Sequence, residues 1–137
     1  MQAYMKSAMP FLGVHKPART RLVRPIARAL DDREAVAAAS VLWDRATYRE
    51  ERYVALELLR GRPVGADLAR HLITTGAWWD YVDEVATKLL PADVDVRAWA
   101  VDEDMWIRRA AILSQVGRRS RTDPAMLANV IEPNLDD

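Results

Sequence analysis

At 137 residues, half of them apolar and 29% charged, the chain has enough material for one helical or mixed domain with a real core. Twenty Lys and Arg balance twenty Asp and Glu, so net charge alone gives no reason to expect a polyanionic partner. The absence of cysteine excludes disulfides, thiolate metal sites and cysteine nucleophiles. No apolar run approaches the roughly 18 residues of a spanning helix, and the opening residues are too broken for a secretory signal, so a cytoplasmic location is expected with no membrane partner.

The opening stretch through Tyr4 and Met5 reads as the end of a helix running into a turn punctuated by Pro10 and Gly13. Lys16 and Pro17 start a second helix, with Leu22, Val23, Ile26, Ala27 and Leu30 as its apolar stripe and its arginines largely off that stripe. Asp31 to Glu34 supplies capping chemistry for a helix through Val36, Val41 and Leu42 to Trp43. Thr47 and Tyr48, followed by Glu50 and Glu51, open a helix that ends near Gly61 and Pro63. A short helix over 66–75 stops at Gly76, and another over 78–90 buries Val82, Val85, Ala86 and Leu89. Asp93 caps a helix through Val96 and Trp99. Asp102 to Asp104 begins one carrying Ile107, Ala110 and Ala111 to Gly117, and Asp123 with Pro124 starts the last, through Met126 and Val130. No strand or hairpin signal interrupts this series.

The expected fold is therefore all-α: antiparallel helix pairs stacked as a HEAT-like-repeat α-solenoid, forming one helical-repeat domain over residues 1–137. Second helices begin near residues 49, 78 and 104, and Trp43 with Arg52 is echoed by Trp99 with Arg108 at an offset of 56 residues, two repeats of about 28. Stacked repeats of this kind form a concave groove. The pattern halts after Val130, where Glu132 to Asp137 resembles the turn into a further helix, so the chain is expected to be a fragment of a longer repeat domain.

Charge is segregated despite the zero balance. Residues 1–30 carry Lys6, Lys16, Arg19, Arg21, Arg24 and Arg28 with no acid, and residues 108–121 carry Arg108, Arg109, Arg118, Arg119 and Arg121 with none. Placed on one side, the two runs would present phosphates with a basic face. Gly-rich phosphate loops, HExxH, GxSxG and calcium loops are all missing. With His15 and His71 as the two histidines, no metal site and no cofactor is expected.

The stretch from Gly76 to Val85 gathers two indoles and three carboxylates at a helix start. Trp79 and Asp83 lie four apart and share a face, whereas Trp78 and Val82 share the neighbouring one. Either Asp80 or Asp83 could be the acid that meets a groove. The helix that opens at Trp106 should bring one of its arginines beside Trp79 and that acid.

Taken together, Tyr4-Met5-Lys6, Phe11-Leu12-Gly13-Val14 with Pro17 and Arg19, Leu42-Trp43, the run from Trp78 to Asp83 and the run from Trp106 to Leu113 resemble the HEAT-like-repeat alkylpurine DNA glycosylases of the AlkD type, a DNA alkylation repair family. The resemblance covers the middle of the family domain, which continues at both ends. It implies hydrolysis of the N-glycosidic bond of cationic N3- or N7-alkylpurines in duplex DNA, by a monomer, without a deep base-flipping pocket. It makes Asp83 the catalytic carboxylate, Trp79 the indole beside the lesion and Tyr4 a second groove residue. Arg109 becomes a DNA-backbone contact, with Arg108, Lys16 and Arg19 as further backbone candidates from the basic runs. A family helix bearing a further tryptophan has no counterpart here, so enzymatic activity depends on whether the groove is complete. The alternatives are a non-catalytic repeat module binding DNA or a protein, and an inactive truncated fragment.

Overall fold

The computed structural model describes residues 2–136, and among them there are helices and turns but no strand. The all-α class is borne out, and the helix pairs are consistent with an α-solenoid. Two compact units divide the chain, Met1–Pro63 and Val64–Asp137.

The first unit holds α1 (Gln2–Met5), α2 (Lys16–Ala29), α3 (Asp32–Arg45) and α4 (Arg49–Leu59). Asp31 caps α3 reciprocally: Glu34 N–H donates to its carboxylate at 2.8 Å, and Asp31 N–H donates to Glu34 at 2.9 Å. Glu51 performs the equivalent service for α4 by accepting the N–H groups of Thr47 and Tyr48. The short link between α3 and α4 makes them a hairpin, whose seam contains the fully buried Trp43, Ala55 and Leu59. Arg52 lies over the Trp43 ring at 4.7 Å, which gives that recurring Trp/Arg spacing a physical meaning in this unit.

Glu50 and Arg49, both buried, fasten the segment before α2 onto α4. The N–H groups of Leu12, Gly13 and Val14 all donate to the Glu50 carboxylate at 2.8 to 3.1 Å. Arg49 donates its N–H to Pro10 and a guanidinium N–H to Ser7. Burial of Glu50 opposes ionisation, but the backbone donors together outweigh it and lower its pKa below the ordinary 4.5.

In α2 the buried line differs from the expected stripe. Val23 is buried as expected, yet Leu22 and Ile26 are 67% and 57% exposed, and Arg19 is buried. Residues 19, 23 and 27 form the i, i+4, i+8 line that meets α4, where Glu57 receives Arg19 at 2.8 Å and Tyr53 lies under its guanidinium at 4.7 Å. A charge partner on the neighbouring helix thus turns the arginine inward and leaves the leucine outside.

The second unit comprises α5 (Ala66–Gly76), α6 (Trp79–Glu84) with a π-helical continuation over Val85–Leu89, α7 (Val96–Ala100), α8 (Met105–Leu113) and α9 (Pro124–Ile131), followed by a 3-10 turn at Glu132–Asn134. Its core joins Leu72, Ile73, Tyr81, Val82, Val85 and Ile107, all at most 1% exposed, and continues through Ala100, Ala111 and Val130 under α9. The uninterrupted α-helix expected over 78–90 is instead widened in its second half. There the Thr87 hydroxyl donates to the Asp83 carbonyl at 2.7 Å, competing with the regular backbone ladder. Likewise, Gly76 is the last residue of α5 and Ala77 takes the left-handed turn, at φ 42°.

Candidate active site

The site is built on α6 and α8 of the second unit. After the left-handed Ala77, Trp78 is fully extended, and its ring packs 6.4 Å from that of Trp106, tilted by 41°. Half-buried, Trp78 serves as a wall between the two helices, while Val82 is fully buried. Trp79 opens α6 and is 40% exposed, on the face it shares with Asp83.

On α8, Asp104 caps the first turn by accepting Trp106 N–H at 2.8 Å. Burial of Ile107, Ala110 and Ala111 fixes the rotation of this helix, so residues 106, 109 and 112 face a cleft of about 340 Å³. Trp79, Trp106, Arg109 and Asn134 are among the groups that line it.

Arg109 joins this cleft to Asp83. Its Nε–H donates to Asp83 Oδ1 at 2.7 Å and its Nη2–H to Oδ2 at 2.9 Å, a fork on a fork. The side chains are 41% and 34% exposed, so solvent reaches the pair. The hydrogen bonds that Arg109 donates to Asp83 raise its pKa; partial burial opposes this and the carboxylate charge adds to it, so the guanidinium is cationic at any working pH. Asp80, the other acid left open by spacing, accepts the adjacent Tyr81 N–H at 3.0 Å. Geometry therefore puts Asp83, and with it Trp79, beside the arginine of α8.

Arg108 has a different position from its neighbour. Its Nε–H donates to Asn134 at 3.0 Å and its Nη1 to the carbonyls of Asp102 and Glu103, while Asn134 donates to the carbonyls of Ala100 and Val130. Asp102 in turn pairs with Arg70 at 2.7 Å and accepts Asp104 N–H. Its pKa is lowered, chiefly by that backbone bond, against burial and with help from Arg70. This network ties α5, α8 and the turn after α9 together, and through Arg108 and Asn134 it forms part of the cleft wall.

The remaining expected site residues belong to the first unit. Tyr4 on α1 is 78% exposed and Lys16 opens α2 in solvent, whereas Arg19 is the buried partner of Glu57 and does not present a phosphate-facing guanidinium. Trp106 and Asn134 are cleft residues that spacing did not assign. Trp106 could have been found from its i, i+3 relation to Arg109, but Asn134 lies 26 residues beyond Arg108 with no local signal. Among the described residues, no group of three or more His, Cys, Asp and Glu is placed to hold a metal, and no helix is long and apolar enough to cross a membrane.

The sequence matches the family model of DNA alkylation repair enzymes over residues 1–137. The chain belongs to that family. DNA is accordingly the partner its family works on. No curated protein matches it. Among solved structures, one described as a predicted DNA alkylation repair enzyme from Enterococcus faecalis is 20% identical and superposes with a TM-score of 0.80, covering all of this chain and 72% of that one. At that identity the similarity shows a shared fold. This member of the family therefore carries its bidentate Asp83–Arg109 pair, with Trp79 beside it, on the shared helical scaffold.

Proposed function

We propose that the chain is an alkylpurine DNA glycosylase of base excision repair, acting as a cytoplasmic monomer on duplex DNA that carries cationic N3- or N7-alkylpurines. The observation that supports this best is the solvent-reached carboxylate of Asp83, held in a fixed orientation by Arg109 beside the half-exposed indole of Trp79. Alkylation puts a positive charge on the purine, so the base needs no protonation to leave. As the C1′–N bond breaks, its electron pair neutralises the purine ring and positive charge develops on the deoxyribose. A carboxylate aimed at that sugar stabilises the charge, and water adds to C1′ and releases a proton.

Two acceptor positions of Asp83 are filled by Arg109, which leaves two for a water molecule or the sugar edge. The guanidinium uses two of its five N–H bonds on Asp83 and has the rest for a phosphate, so orienting the carboxylate and holding the backbone are compatible tasks. Trp79 offers a π face to the cationic lesion at a surface site, in keeping with a reaction that needs no deep base pocket.

The test is release of 7-methylguanine or 3-methyladenine from methylated duplex DNA. Wild type should release the base and Asp83→Asn should do so at least about a hundredfold more slowly, the scale on which lost transition-state electrostatics registers. Equal rates would overturn the assignment. The same ion pair favours one alternative: with its charge balanced by Arg109, Asp83 serves to hold the arginine, and the cleft binds DNA without cleaving it. Tight duplex binding with no base release would establish that reading.

A further inference from the structure

A second pocket of about 250 Å³ opens in the same unit, where the π-helical end of α6 meets the segment after α8. Lys88, Arg118 and Arg121 reach it, with Thr87 and the buried Ser114 between them, and no carboxylate belongs to its lining. All three cations are exposed. The chain shapes the pocket deliberately. Gly117 turns at φ 84° and Arg119 at φ 51°, which folds Arg118 back so that its Nε–H donates to the Ser114 carbonyl at 3.1 Å. On the other wall, the Thr87 hydroxyl is anchored to the carbonyl of Asp83, linking the pocket to the turn that carries the candidate carboxylate.

Three cations around a polar recess whose described lining holds no acid make an anion seat. Lys88 lies five residues after Asp83, roughly 7 Å along the helix, which is about two base-pair steps of duplex rise. We propose that this pocket seats a backbone phosphodiester of the duplex whose lesion is presented to Asp83, a contact that rests on the DNA-repair reading above. Lys88 enters as a DNA-binding residue from outside both basic runs of the sequence. Because phosphate contacts carry no base information, the seat fixes register and holds damaged and undamaged duplex alike.

The experiment measures anisotropy of labelled alkylated and undamaged duplexes across a salt series, with wild type, a triple variant (Lys88→Gln, Arg118→Gln, Arg121→Gln) and the double variant K88Q/R121Q. The double variant spares the Arg118 contact to Ser114, and circular dichroism melting checks both folds. The expected result is binding weakened about tenfold, and a slope of log affinity against log salt that is shallower by about 1, equally for alkylated and undamaged duplex. Unchanged affinity and slope in both variants, while Arg109→Ala weakens binding, would overturn the seat and leave the DNA reading intact. If wild type binds no duplex, both fail together. Calorimetric titration with inorganic phosphate supplies the other arm. Phosphate uptake that the variants abolish, without any change in duplex binding, would assign the pocket to a small free anion and overturn the backbone seat.

Discussion

Arg109 grips Asp83 through two parallel hydrogen bonds, Nε to Oδ1 at 2.7 Å and Nη2 to Oδ2 at 2.9 Å, from a neighbouring helix and across 26 residues of sequence. A fork of this kind fixes both the position and the plane of the carboxylate, which a single ammonium cannot do. Arg109→Lys should therefore retain much of the duplex affinity and lose base-release rate, by at least about tenfold. Arg109→Ala should lose both. Single-turnover release together with duplex affinity for each variant separates the two effects, and an Arg109→Lys enzyme as fast as wild type would show that the fork does not orient Asp83.

Trp79 and Val82 are neighbours with opposite duties. Trp79 is 40% exposed at the cleft, whereas Val82 is completely buried against the core. Trp79→Ala should slow base release by tenfold or more and change unfolding free energy by less than about 1 kcal/mol. Val82→Ala should cost about 1 to 3 kcal/mol through the cavity it leaves, with base release by the folded fraction little altered. Urea unfolding and base release on the same preparations check the contrast.

Ala77 stands where a glycine would be at ease. Its φ of 42° and its N–H bond to the Ile73 carbonyl close α5 and set the start of α6 at Trp79. A Cβ in the left-handed region costs roughly 1 kcal/mol, so Ala77→Gly should stabilise the protein by up to about that amount. A drop in stability would mean that the turn has a further dependence on the methyl group.

Sequence reasoning reached the helices because each is announced by short-range chemistry. Asp31 with Glu34, Asp104 and Asp123 cap where their residue types and positions suggest, whereas α7 is capped by Asp95, which accepts the N–H groups of Arg97 and Ala98, and not by the expected Asp93. It reached Trp79 and Asp83 as a pair for the same reason, since four residues of helix bring them to one face. Partner choice across helices was not legible. Nothing local to Arg19 says that Glu57 will draw it inward, and nothing local to Arg108 distinguishes it from Arg109, although one binds Asn134 and the other Asp83. Adjacent arginines on a helix point about 100° apart, so different partners at the edge of one cleft follow from rotation, which the buried Ile107, Ala110 and Ala111 decide.

That division of labour between Arg108 and Arg109 can be measured. Arg108→Ala or Asn134→Ala removes hydrogen bonds that secure the turn after α9, and each should destabilise the second unit by about 1 to 3 kcal/mol. Neither should make the salt dependence of duplex binding shallower, whereas Arg109→Ala should do so by about 1 slope unit. A shallower slope for Arg108→Ala with unchanged melting would return Arg108 to the DNA backbone.

Glu50 gives the fold a pH dependence whose sign is fixed by its surroundings. Its carboxylate accepts the N–H groups of Leu12, Gly13 and Val14, and its pKa lies below the ordinary 4.5 because these donors outweigh the effect of burial. The folded state therefore binds its proton less readily than the unfolded chain. The resulting stability is present in full above about pH 4.5 and is lost as pH falls through the depressed folded value. Gln at this position has one carbonyl for three donors and turns an NH₂ toward them, so Glu50→Gln should be less stable than wild type at pH 7 by about 1 to 3 kcal/mol. Below pH 4.5 the two melting temperatures should converge, because protonation removes from wild type what the substitution has already removed. A gap that stays constant down to pH 3 would show that the loop before α2 is held by Arg49 and its neighbours and not by the Glu50 charge.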